Sequence, residues 1–207
     1  MLKAPSHKQE RALATREELI KAAREIFARD GFESTRIEDI ASYAGKTRGA
    51  FYDNFRDKED VFFAIFEEDI ARGQDKVVEE MSIAGNLQAR VDVLSRHLGE
   101  LLKDKQRILL MLEFKMYVIR HPQKRKRLSD LYSEMCLRCS MTKINTLLPE
   151  MVRASVEKRR SLTMEVGAIM DGLALNSLFS PENLTDEQRN RYLQVTAEEA
   201  LRVARQV

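Results

Sequence analysis

TRIEDIASYAGKTRGAFYDN, residues 35–54, is the stretch on which the fold turns. Ile37, Ile40, Ala41 and Ala44 fall at i, i+3, i+4 and i+7, the spacing of one helical face. Thr35 and Glu38 have the spacing of a capping box at its start, and Gly45 is the natural stop. Thr47 suits the N-cap of a second short helix, running through Phe51 and Tyr52 to about Asn54. Two short helices joined by a tight glycine-containing turn form a helix-turn-helix, a unit whose second helix can enter the major groove of a duplex.

The second helix has the chemistry for that position. Thr47, Arg48, Gly49 and Ala50 leave one side nearly bare of bulk. Gly49 and Ala50 allow the backbone to approach base edges or thymine methyls, and Arg48 can fork onto guanine O6 and N7. The Thr47 and Tyr52 hydroxyls suit phosphate oxygens, which set register rather than sequence. Thr35 is counted with them as a candidate DNA contact; Lys58, in the first turn of the following helix, is read as a phosphate clamp, and Lys46 as either a phosphate contact or a solvated cation. Phe51 and Phe55 face the other way and are expected to pack with Ile26, Phe27, Ile37 and Ile40.

Working outward, the first 14 residues read as a loose arm. A helix follows from Thr15, capped with Glu18, carrying Leu19, Ala22, Ala23, Ile26 and Phe27 on one face and ending at Gly31. Asp57, with Asp60 three residues on, caps a long helix to about Met81. Further helices are expected over about 87–102, 106–119, 122–148, 163–179 and 186–205, the last capped by Thr185, which makes nine in all. There is no internal repeat. The fold class is therefore all-α.

Composition agrees. Only 8 Gly and 4 Pro occur in 207 residues, so turns are few and elements long. Hydrophobic residues at 43% and charged residues at 33% are globular values. The net charge of +2 announces no nucleic-acid partner, so any contact with DNA must come from local arrangement. Two cysteines make no disulfide framework, the N-terminus has no signal-peptide core, and no run of about 18 apolar residues exists. A reducing cytoplasm without a membrane partner is the expectation.

Thr35, Ile37 to Ala41, Ala44-Gly45, Thr47 to Tyr52, Phe55 and Lys58 to Phe62, preceded by Gly31-Phe32, resemble the DNA-binding domain of the TetR family of bacterial repressors. The resemblance covers about a quarter of the chain at the level of motifs; farther on, Met170 to Ala174 is similar to the eighth helix of many members. It departs at Lys46, a position often apolar in the family. The resemblance implies an N-terminal arm and helix-turn-helix domain over 1–56, and a ligand-binding and dimerisation domain over 57–207. It implies a homodimer built mainly by the last two helices, with Leu173, Leu178, Tyr192, Val195 and Leu201 as candidate interface residues. It also implies a palindromic operator in double-stranded DNA, and a small hydrophobic or amphipathic effector. That effector, held in the larger domain, draws the two recognition helices out of register with major grooves about 34 Å apart.

His97, Glu113 and Asp171 are polar groups on otherwise apolar helices, and each suits either a ligand contact or a surface or paired position. Met111, Phe114, Tyr117, Met135, Cys139 and Met170 suit a deformable apolar lining or ordinary core. With His97 and Asp171 they form the candidate pocket. Cys136 and Cys139 form C-x-x-C in mid-helix with no second pair, which favours packing over a redox or zinc site and leaves redox sensing open. The basic run Lys124 to Arg127 reads as a solvated helix end or a long-range attraction for DNA. No metal or cofactor is expected. An enzyme finds no phosphate loop, nucleophile elbow or H-E-x-x-H, and only three scattered His, at 7, 97 and 121. A helical protein-binding adaptor would leave Thr47, Arg48, Gly49 and Tyr52 unexplained.

Overall fold

The computed structural model of the chain describes the backbone of residues 7–72 and 74–206, and the side chains of 9–69, 77–135, 148 and 151–206. Every regular element among them is helical: α1 (His7–Asp30), α2 (Ile37–Tyr43), α3 (Arg48–Tyr52), α4 (Lys58–Arg72), α5 (Gln74–Ile83), α6 (Leu87–Leu101), α7 (Lys105–Arg120), α8 (Pro122–Leu147), α9 (Val156–Phe179) and α10 (Asp186–Arg205), with a 3-10 turn at Pro149–Arg153. The all-α reading holds.

The chain divides into two compact units, one formed by Met1–Asp69 with Leu109–Pro122 and the other by Ile70–Ile108 with Gln123–Val207.

Several helix ends differ from the sequence expectation, each for a local reason. The stretch expected as an arm up to residue 14 is already helical from His7, so Thr15 lies inside α1 and caps nothing. Gln9 to Ala14 are all good helix formers without Gly or Pro, and that propensity outweighs the capping signal. Similarly, α9 starts at Val156, seven residues before the expected Thr163, because the Ser155 hydroxyl accepts from the Lys158 amide at 3.2 Å. The single helix expected to Met81 is described as α4 and α5, on either side of residue 73.

Other caps form where the sequence puts them. Asp57 accepts from the Asp60 amide at 2.8 Å while the Asp60 carboxylate accepts from the Arg56 amide at 3.2 Å. Thr185 and Gln188 make the reciprocal capping box of α10. Gly31 ends α1 in the left-handed region (φ 87), its amide donating to Phe27 O at 3.1 Å.

The first unit is held by an aromatic cluster. Phe62 stacks on Phe114 of α7 with ring centroids 3.8 Å apart, and Phe32 meets Phe27, Phe62, Phe114 and Tyr117 around it. A nearly buried Arg24–Asp69 ion pair ties α1 to α4. The second unit has its own core, in which α10 packs along α6 and also meets α9 and the 3-10 turn. Ala197, Ala200 and Ala204 alternate with Leu193 and Leu201 on the buried face of α10, and these small residues let the helix axes approach closely.

Candidate DNA-reading site

The turn between α2 and α3 opens on backbone hydrogen bonds. The Lys46 amide donates to Ala41 O at 2.8 Å and the Gly45 amide to Ser42 O at 3.0 Å, the paired bonds of a Schellman stop. That stop requires a left-handed residue, and Gly45 supplies it at φ 64. Thr47 then caps α3 as expected, its hydroxyl oxygen accepting from the Ala50 amide at 3.1 Å. Phe51 and Phe55 are buried with Ile26, Phe27 and Ile40, while Ile37 is half-buried. This anchoring turns the opposite edge of α3 outward. Thr47, Arg48 and Gly49 are exposed, and Tyr52 is 47% exposed. A Cβ added to Gly49 would meet nothing nearer than the Thr47 hydroxyl at 3.7 Å.

Arg48 is preset on that edge. Its Nη1 lies 2.9 Å from Glu38 of α2, its Nη2 donates to the Tyr52 hydroxyl at 3.4 Å, and the guanidinium sits 5.5 Å from the Tyr52 ring centroid. The Tyr52 hydrogen bond, followed by the Glu38 charge, raises the Arg48 pKa above its ordinary value.

The other predicted contacts are placed differently. Thr35 does not cap α2; its hydroxyl is buried and donates to Gly31 O at 2.7 Å. The cap falls one residue later, at Arg36, whose amide donates to Asp39 at 3.1 Å. Glu38 is thereby released from the expected capping box to face Arg48. Lys46 pairs with Glu18 of α1 at 2.5 Å. The Lys58 ammonium donates to three backbone carbonyls, Phe32 O at 2.7 Å, Glu33 O at 2.8 Å and Thr35 O at 3.2 Å. Sequence reasoning missed Arg16, whose guanidinium lies 4.3 Å from the Phe55 ring centroid and donates to Asn54 O at 3.3 Å. The available signal was charge: residues 1–16 hold Lys3, Lys8, Arg11 and Arg16 against Glu10 alone.

The candidate pocket residues fall into both units. Met111, Phe114 and Tyr117 belong to the first. There Phe114 is buried in the aromatic cluster, and the Tyr117 hydroxyl donates to the buried Glu59 carboxylate at 2.8 Å, so both serve packing and polar pairing. His97, Met135, Met170 and Asp171 belong to the second unit, with Met135 buried and the others half-buried. Glu113 lies beside Gly31, where an added Cβ would come 3.1 Å from its Oε2. The side chains of Cys136 and Cys139 lie outside the described residues.

Of the candidate interface residues, Leu173 and Leu201 are buried in the second unit's own core and are unavailable to a partner. Leu178 is half-buried, while Tyr192 and Val195 are exposed. Ile169, Leu175 and Phe179 of α9, which sequence reasoning did not select, are exposed, Phe179 to 83%. The signal was present: from Leu162 to Phe179 the only charged residues of α9 are Glu165 and Asp171, so its later turns carry more apolar side chains than one buried face needs.

No described helix is long and apolar enough to cross a membrane. Among the described residues no group of three or more His, Cys, Asp or Glu is placed to hold a metal ion.

Comparison with known proteins agrees with this architecture. Residues 19–65 match the family described as bacterial regulatory proteins, tetR family. The HTH-type transcriptional regulator AcrR of Shigella flexneri is 31% identical over 186 residues, covering 85% of this chain and 83% of its own length. The HTH-type transcriptional repressor AcnR of Corynebacterium diphtheriae is 39% identical over 64 residues, 31% of this chain and 34% of its own. Among solved structures, FadR of Bacillus subtilis in complex with stearoyl-CoA superposes with a TM-score of 0.57 at 18% identity, over 89% of this chain and 97% of that one. An all-helical chain with an N-terminal helix-turn-helix and such relatives is a DNA-binding transcriptional regulator. It belongs to the TetR family of bacterial regulatory proteins.

Proposed function

We propose that the chain is a cytoplasmic homodimeric repressor that binds a palindromic operator and is released by a small hydrophobic or amphipathic effector. The observation that carries the DNA arm is the open edge of α3. Gly49 has room in front of it, and Arg48 stands beside it, charged and preset by Glu38 and Tyr52. Arg48 reads a base edge, Gly49 permits approach, and Thr47 and Tyr52 set register on phosphates. Lys46 exchanges Glu18 for a phosphate, a change made cheap because the Glu18 carboxylate is exposed and an ion pair open to water contributes little.

Dimerisation is assigned to the exposed apolar residues of α9 and α10, Ile169, Leu175, Phe179, Tyr192 and Val195, which would be costly to leave in water. Repression is supported by the similarity to AcnR, named a repressor. Control by an effector is supported by the similarity to FadR, whose structure contains stearoyl-CoA. Within the second unit, His97, Met135, Met170 and Asp171 are the residues proposed to meet the effector. The functional boundary is proposed between residues 56 and 57.

The test is a gel shift of the chain on DNA from upstream of its own gene, with Arg48→Ala as control and stearoyl-CoA as a first effector probe. Retarded wild-type complexes that are weakened in Arg48→Ala and released by the probe are expected. Failure of the wild-type chain to retard any such DNA at low salt rejects the repressor reading.

A further inference from the structure

Beside the guanidinium at the open edge of α3 stands a carboxylate that its own helix does not need. Glu38 lies in the first turn of α2, yet the start of that helix is closed by Asp39, which accepts from the Arg36 amide at 3.1 Å. Glu38 Oε1 instead lies 2.9 Å from Arg48 Nη1, across the turn that Gly45 makes. The Arg48 and Glu38 side chains are 63% and 51% exposed, so water screens the pair and it adds little to stability. Its consequence is geometric. Arg48 Nη2 donates to the Tyr52 hydroxyl at 3.4 Å, and the guanidinium sits 5.5 Å from the Tyr52 ring centroid. The backbone beneath is fixed as well, because Thr47 caps α3 through the Ala50 amide. A guanidinium on a flexible stem is thus tethered at two nitrogens, by α2 on one side and by α3 on the other. A guanidinium carries five N–H donors, so enough remain for a fork onto guanine O6 and N7.

We propose that Glu38 is a positioning residue that sets the sequence specificity of the α3 edge through Arg48. It acts in two ways. It holds the guanidinium in one direction before DNA arrives, so less rotamer freedom is lost when Arg48 meets a base. It also offsets the charge of the cation and adds a negative charge at the DNA-facing edge, which weakens attraction to phosphates whatever the sequence. The first effect favours the right base and the second disfavours all DNA, and both widen the gap between specific and non-specific binding. The inference rests on the reading of Arg48 as a base contact.

Glu38→Ala and Glu38→Gln in the full-length chain, each alone and combined with Arg48→Ala, test it. The probes are the duplex retarded by the wild-type chain, its single-base variants and a duplex of unrelated sequence. At the base position that Arg48→Ala flattens, Glu38→Ala should reduce discrimination by about 2- to 10-fold. Binding to the unrelated duplex should tighten by about 2- to 5-fold at low salt. Glu38→Gln keeps an oxygen that accepts from Arg48, so it should retain more of the discrimination while tightening on unrelated DNA to the same extent. In the Arg48→Ala background, Glu38→Ala should change discrimination by less than about twofold. Both side chains are exposed, so the Tm of each variant should stay near the wild-type value. Unchanged discrimination in Glu38→Ala overturns the inference. So does an equal loss of affinity on every duplex, which is the result of a merely structural role. An undiminished effect in the Arg48→Ala background also overturns it, because Glu38 would then act without the arginine. If the wild-type chain retards no DNA, the DNA-binding reading fails and this inference with it. If the wild-type chain discriminates and Glu38→Ala discriminates equally well, this inference alone fails.

Discussion

Removing Asp69 while leaving Arg24 in place is expected to weaken the first unit strongly. The Arg24 guanidinium meets both Asp69 oxygens, at 2.8 and 2.6 Å, and donates to Ile65 O at 3.3 Å. The two side chains are only 11% and 9% exposed, so little water screens the pair and little can replace it. In Asp69→Leu the guanidinium keeps one long bond to a carbonyl and loses its counter-charge. Breaking a buried pair from one side costs about 3–5 kcal/mol. At roughly 2–4 °C per kcal/mol for a chain of this size, Tm should fall by about 6–20 °C. The double variant Arg24→Met/Asp69→Leu removes both charges and should return to within about 1 kcal/mol of wild type, because the pair's attraction largely offsets its own desolvation. Urea titrations of the four proteins, combined as a double-mutant cycle, give the coupling directly. A loss below about 1 kcal/mol in Asp69→Leu alone would refute the argument, since it would mean that water or another group takes over the guanidinium.

Arg48→Ala should lower operator affinity by about 5- to 150-fold per half-site and flatten discrimination at one base position in each, measured by competition among operator variants; an unchanged ranking rejects base reading by this residue. Val195→Glu should yield a folded monomer by analytical ultracentrifugation, because Val195 is 58% exposed, whereas Leu201→Ala, at a fully buried site, should lose about 2–5 kcal/mol. A dimeric Val195→Glu removes that residue from the proposed interface. Gly45→Ala should cost about 1–2 kcal/mol, with Gly45→Asn costing less, because nothing crowds the position and only its φ of 64° resists a side chain. Equal stability of Gly45→Ala and wild type in urea would show that the turn relaxes.

The helix-turn-helix was legible in the sequence because its determinants are local. The i, i+3, i+4, i+7 pattern of α2, the glycine at the turn and the Thr47 cap act within a few residues of one another, and all three appear as expected. Errors arose where two local signals competed. Thr35 and Glu38 imitate a capping box, yet Arg36 and Asp39 form the cap one residue later, because the Thr35 hydroxyl is drawn to Gly31 O. Thr15 likewise looked like a start, but the residues before it are strong enough helix formers to continue the helix.

What the sequence determined by itself was the fold class, the motif and the identity of the side chains along α3. These depend on periodicity and on the conformational preferences of single residues. Which cation faces outward was a tertiary decision. Lys46, Arg48 and Lys58 are equivalent as charges in a row of letters. Packing of Phe51 and Phe55 into the core sends Arg48 outward, while the first turn of α4 aims Lys58 at the carbonyls of a segment more than twenty residues earlier. The same holds for α9 and α10. Their apolar residues could be counted from the sequence, but only the folded second unit, by enclosing Leu173 and Leu201 and exposing Phe179 and Val195, distinguished a core from a surface still to be covered. The reason is geometric: local signals reach about one helical turn, and the neighbours that decide burial come from distant parts of the chain.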